Sequence, residues 1–142
     1  MENQSHKNSE IIRMKMPCNP RYIPVLRAAI AELGIKMGFS FEAVNDLKIV
    51  MNEALANIYE YAYNKQKDNN NIVYIYFHIF DDRLECVLKD FGQKPHIEEL
   101  KSLNDDFRDG DLGIFLIENL VDEITYNTAV KVGTELKIVK YR

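Results

Sequence analysis

Residues 52–63 read Asn52-Glu53-Ala54-Leu55-Ala56-Asn57-Ile58-Tyr59-Glu60-Tyr61-Ala62-Tyr63. They form the second half of a helix predicted from about Phe41 to Asn64. At about 100° per residue, Val44, Leu47, Met51, Leu55, Ile58 and Ala62 fall on one stripe that suits a core. Asp46, Glu53, Asn57, Glu60 and Asn64 fall on the opposite side. Glu53 and Asn57 are one turn apart, so their side chains stand one above the other. The row has two readings. It is a solvated polar face, as on most amphipathic helices, or it pairs a base with a metal ligand.

Composition sets the frame. The chain has 142 residues, enough for one domain with a real core. A hydrophobic fraction of 46% and a charged fraction of 28% are ordinary for a soluble globular protein. A net charge of −4 without a Lys/Arg cluster gives no reason to expect direct nucleic-acid binding. No apolar run approaches a membrane span. The segment Met1 to Glu10 is polar and lacks the apolar core of a signal peptide. The expectation is a cytoplasmic protein with a flexible tail at 1–10 and one domain at 11–142. Cys18 and Cys86 have no CxxC partner, which leaves Cys86 as a small buried hydrophobe. His6, His78 and His96 are scattered, with nothing beside them in sequence to activate them.

Outward from the helix, the elements come in order. Ile11 to Met16 alternates as a strand, closed by Pro17 and Pro20. Arg21 to Met37 has helical spacing, with Gly34 and Gly38 marking its end. Ser40 caps the long helix. Lys65 to Asn71 is a polar loop. Ile72 to Phe80 and Leu84 to Lys89 make a hairpin about Asp81-Asp82-Arg83. A loop from Asp90 to Pro95 opens off the strand end. A short helix at His96 to Ser102 and an acidic loop at Leu103 to Leu112 come next. Gly113 to Val121 resumes helical spacing. Glu123 to Asn127 and Thr134 to Lys140 are the last strands. This order fits an α+β two-layer sandwich, with one mixed, mostly antiparallel sheet covered on one face by helices.

Three further features can carry chemistry. Asp90-Phe91-Gly92 at a strand end offers an acceptor for an exocyclic amine and lets the backbone pass close to a ring, or it is a simple turn. Gly110-Asp111-Leu112-Gly113 opens a helix and offers free N–H groups to phosphate, with Arg108 nearby, or it is a plain helix start. Gly133-Thr134 alone is a hairpin turn.

Taken in sequence, these features resemble the GHKL ATPase superfamily, whose Bergerat fold occurs in histidine kinases, gyrase and anti-sigma factor kinases. Glu53-Ala54-Leu55-Ala56-Asn57 with Tyr61-Ala62-Tyr63 is similar to the family's N-box. Residues Gly113 to Ile124 resemble the helix that comes after the lid in the anti-sigma factor serine kinases. The resemblance runs from about Ile11 to Lys140. It implies that Asn57 coordinates a Mg²⁺ bridging the ATP phosphates and that Glu53 is the general base. It implies that Asp90 binds the adenine amino group, with Gly92 allowing close approach. Arg108, Gly110, Leu112 and Gly113 then form the phosphate-covering lid, and Thr134 supports the adenine end.

The implied activity is transfer of the ATP γ-phosphoryl group to a serine of an anti-anti-sigma (STAS-like) protein, with sequestration of a sigma factor in the alternative state. Family members dimerise through the sheet side that carries the first strand, which the apolar strand Ile11 to Met16 suits. The chain departs from the family at three places. Tyr61 stands where the N-box usually has His. Lys94-Pro95 replaces the second glycine after Asp90. Asp111 stands where the lid often has glycine. Tyr61 and Asp111 motivate an alternative: a nucleotide-gated binding module without kinase activity.

Overall fold

The computed structural model describes residues 9–66, 68, 70–93 and 117–142. The expected tail up to residue 8, the short helix at 96–102, the loop at 103–112 and the start of the helix expected from Gly113 lie outside the described residues.

The elements are β1 (Glu10–Pro17), a 3-10 turn (Pro20–Tyr22), α1 (Ile23–Met37), α2 (Phe41–Asn57), a π-helical turn (Ile58–Ala62), β2 (Ile72–Ile79), β3 (Arg83–Asp90), β4 (Glu123–Asn127) and β5 (Thr134–Tyr141). Residues 117–120 are helical. The strands form one sheet in the order β1-β2-β3-β5-β4. Every neighbouring pair is antiparallel, where the sequence suggests a mixed sheet. The reason is topological. β3 and β4 run in the same direction, but β5 lies between them and opposes both.

Period-2 alternation gives the sheet two different faces. Val73, Ile75 and Phe77 of β2, Leu84, Cys86 and Leu88 of β3, and Leu136 and Ile138 of β5 are buried. They join the stripe of α2 in one core. The other face carries Tyr74, Tyr76, His78, Val87 and Lys89, with Tyr74 stacked on Tyr76 at 6.4 Å. The fold is therefore the two-layer α+β sandwich that the element order predicts.

The sequence explains α2 closely. Ser40 Oγ accepts a hydrogen bond from the Ala43 N–H at 3.1 Å, as an N-cap should. Val44, Leu47, Met51, Leu55, Ile58 and Ala62 are all buried. Val50 and Ala54 are buried too, so the apolar arc is wider than the expected stripe. Gly38, at φ 83°, ends α1 through the left-handed conformation that favours glycine. Gly34 does not end α1 but lies within it. A Cβ there would stand 3.2 Å from Val44 Cγ2, so its bare backbone lets α1 approach α2.

Leu47 is fully buried beneath α1. Leu47→Ala should cost about 3 kcal/mol of stability, as large-to-small core changes do. Chemical denaturation should show a lower midpoint with an unchanged slope.

Candidate active site

The alternation that buries Leu84, Cys86 and Leu88 continues to Asp90, which is the last residue of β3 and faces the core. On β5 the core face begins with Thr134. Asp90 and Thr134 are register partners across β3 and β5. Each is only 4% exposed, and they are the buried polar side chains among the described residues. Burial pushes the Asp90 carboxyl up to about 6, against the pull of the Gly92 and Thr134 N–H groups. Gly92 N–H donates to Asp90 Oδ1 at 3.0 Å. Thr134 Oγ1 is buried without a hydrogen-bond partner among the described residues. Such an orphan costs on the order of 1–3 kcal/mol and calls for an explanation. A polar ligand beside Asp90 would supply the partner.

Two glycines make this corner as tight as it is. Gly133 has φ 72°, and a Cβ on it would lie 2.0 Å from the Asp90 carbonyl oxygen. A Cβ on Gly92 would lie 2.2 Å from the Ala62 carbonyl oxygen. That same oxygen accepts from Gln93 N–H at 2.9 Å. The turn after β3 is therefore docked on the end of the long helix. Phe91 pins its other side, packing edge-on against Tyr74 at 5.7 Å.

The polar row of α2 is half-buried, apart from exposed Asn64, rather than solvated. Two of its members are already engaged. Asp46 faces Lys140 Nζ at 3.7 Å, and Lys140 also donates to the Leu120 carbonyl at 2.7 Å. Glu60 pairs with Lys65 at 3.6 Å. Of the half-buried members, Glu53 and Asn57 are left. Among the described residues Glu53 Oε1 accepts a long contact from Asn52 Nδ2, at 3.5 Å, and Asn52 Oδ1 in turn faces Arg27 Nη1 at 3.4 Å. Glu53 opens on a groove between α1 and α2, lined also by Arg27, Asn45, Lys48 and Ile49. The Asn57 carboxamide makes no hydrogen bond among the described residues.

Asp90, Gly92 and Thr134 thus form one cluster. Glu53 and Asn57 stand further back along α2, on the N-terminal side of the π-helical turn that ends at Ala62. Arg108, Gly110, Leu112 and Gly113 lie outside the described residues, as do Lys94, Pro95 and Asp111. The sequence reading puts Asp90 in a loop, whereas period 2 counted from Leu84 carries it onto the core face. It counts Tyr63 in the N-box stretch but gives no role to its hydroxyl, which touches both the Ile72 carbonyl and the Phe91 N–H.

Comparison with known proteins places the chain in a family. Residues 16–140 match the histidine kinase-like ATPase domain. The chain belongs to that family. Among curated relatives, a serine-protein kinase RsbW of Oceanobacillus iheyensis is 32% identical over 94% of this chain and 88% of its own length. A Staphylococcus aureus RsbW is 34% identical over 93% and 87%, and the Bacillus subtilis RsbW is 32% identical over 82% and 78%. A crystal structure of the RsbU and RsbW domains of a Mycobacterium tuberculosis protein shares the fold, with a TM-score of 0.67 at 15% identity. It covers 94% of this chain, which spans 33% of that one. The chain is accordingly a serine-protein kinase of the histidine kinase-like ATPase family, and it uses ATP. The relatives favour phosphotransfer over the binding-only alternative.

Asp90 tests the site through its own titration. Its carboxyl rises from 3.8 to about 6 on folding, so the protonated form is the one that folding favours. That contribution is complete below pH 3.8 and is lost as pH rises through about 6. Above this window the buried charge costs on the order of 3 kcal/mol, at 1.36 kcal/mol per pH unit. Asp90→Asn should therefore raise the melting temperature of the nucleotide-free protein at pH 7, and the gain should vanish near pH 4.

Proposed function

We propose that this protein is a cytoplasmic anti-sigma factor that phosphorylates a serine of an anti-anti-sigma protein and holds a sigma factor in the alternative state. The observation that carries the site assignment is the buried pair Asp90 and Thr134, with its unpartnered hydroxyl, docked on the end of the helix that carries Glu53 and Asn57. Asp90 accepts from the adenine amino group, and Gly92 lets the backbone lie close to the ring. Thr134 Oγ1 finds its partner at the same end of the nucleotide.

Asn57 is the metal ligand. Among the described residues no cluster of three or more His, Cys, Asp or Glu side chains is available to a metal. One carboxamide oxygen suits Mg²⁺, which takes its remaining ligands from phosphate and water. When bound, Mg·ATP supplies the phosphoryl group and the charge that neutralises it. Glu53, one turn before Asn57, orients the acceptor serine and takes its hydroxyl proton. The groove beside Glu53, with Arg27 and Lys48 on its wall, is the way in for the protein substrate. Arg108, Gly110, Leu112 and Gly113 complete the site as the lid over the phosphates.

Among the described residues no helix is long and apolar enough to cross a membrane. Self-association through β1 suits the apolar Ile11 and Ile12, each nearly half exposed.

Glu53→Ala separates binding from chemistry. Mg·ATP should still raise the melting temperature by mass action. Transfer of labelled phosphate to a serine partner should fall by at least about a hundred-fold, at the low end of general-base contributions. Transfer at the wild-type rate would remove Glu53 from the role of base.

A further inference from the structure

Tyr63 lies just beyond the π-helical turn, buried at 8% exposure. That turn is closed by a bond that skips an extra residue, from Tyr63 N–H to the Ile58 carbonyl at 3.1 Å, and beyond it Lys65 N–H reaches back six residues to the Tyr59 carbonyl at 2.8 Å. Single π turns recur at functional sites, where the extra residue re-aims the side chains beyond it. Here the re-aimed group is the Tyr63 phenol, which donates to the Ile72 carbonyl at 2.7 Å and accepts from the Phe91 N–H at 2.9 Å.

The register gives this contact its meaning. Val73 pairs with Asp90 in the β2–β3 ladder. One further step would pair Ile72 with Phe91, but the Tyr63 hydroxyl stands between the two groups and satisfies both. The ladder stops at Asp90, and the chain leaves the sheet there as the turn that holds Gly92 against Ala62. A second, independent latch, Gln93 N–H to the Ala62 carbonyl at 2.9 Å, holds the same turn. Burial keeps the phenol protonated, its pKa shifted upward, so the donor to Ile72 persists through neutral pH.

We infer that Tyr63 is a positioning residue for base recognition: its hydroxyl ends the β2–β3 ladder at Asp90 and fixes that carboxylate relative to the phosphate-facing row of α2. The inference rests on the proposed contact between Asp90 and adenine. Without the hydroxyl, Ile72 and Phe91 are free to close one more ladder bond. The Asp90–Gly92 turn is then drawn toward β2 while Glu53 and Asn57, a turn and more up the helix, stay where they are.

The test is Tyr63→Phe, which keeps the ring and removes the latch, compared with wild type and Asp90→Ala, all measured well below their melting temperatures. ATP and GTP affinities are read by titration, and phosphotransfer at saturating ATP by labelled transfer to a serine partner. The expected result is an ATP affinity lowered about ten-fold, as for a lost pair of hydrogen bonds. The ATP-over-GTP preference should narrow by a similar factor, with kcat within about two-fold of wild type. A role in stability alone would lower the melting temperature and leave the base preference intact, and that outcome overturns the inference. If Asp90→Ala loses affinity and preference while Tyr63→Phe keeps both, the inference fails and the Asp90 reading stands. If Asp90→Ala keeps both, the adenine contact itself falls.

Discussion

A carboxylate at the end of a hydrophobic face is the constraint around which this structure is arranged. Asp90 occupies a position that β3 otherwise gives to Leu84, Cys86 and Leu88, and it resists ionisation there. Burying such a group is tolerable only where backbone N–H groups and a ligand take up its lone pairs. The surroundings answer that need. Gly92 N–H supports one oxygen, Gly133 brings β5 within reach of the Asp90 carbonyl, and Thr134 adds a hydroxyl that has no hydrogen-bond partner among the described residues. A corner of this kind is held in a state less stable than an apolar one would be, and a polar ligand there would offset the difference.

Much of this is legible in the chain. The helical period of Val44, Leu47, Met51, Leu55 and Ile58 defines α2, because a stripe that buries so completely leaves little freedom in phase. The hairpin of Ile72–Ile79 with Arg83–Asp90 is marked by its apolar alternation and acidic turn. Less legible is anything that depends on non-local register. The sheet is wholly antiparallel among the described strands because β5 inserts between β3 and β4, and no local pattern encodes which gap a strand fills. Gly34 reads as a helix end because glycine usually weakens helices. Its real use is set by Val44 on another helix.

The candidate site divides in the same way. Glu53 and Asn57 can be picked out by spacing alone, but spacing cannot separate them from Asp46 and Glu60. Ion pairs with Lys140 and Lys65 do that. The order Asp90, Gly92, Thr134 is visible as a motif series, yet its meaning comes from resemblance to a family. The buried, paired geometry supplies a physical reason for it. Tyr63 falls within the stretch that resembles the N-box, but nothing local gives its hydroxyl a role until that hydroxyl is found between two strands.

The place of β5 also bears on how the protein comes into being. Strands β1 to β3 form a contiguous part of the sheet that a nascent chain can assemble early. Thr134–Tyr141, however, fills a gap further along the sheet and supplies half of the Asp90–Thr134 pair. Until that strand has emerged from the ribosome, β3 is an open edge with a carboxylate at its tip. Closing it joins residues more than forty positions apart, the kind of distant contact that slows folding. The buried Asp90–Thr134 pair therefore forms only once this distant contact has closed.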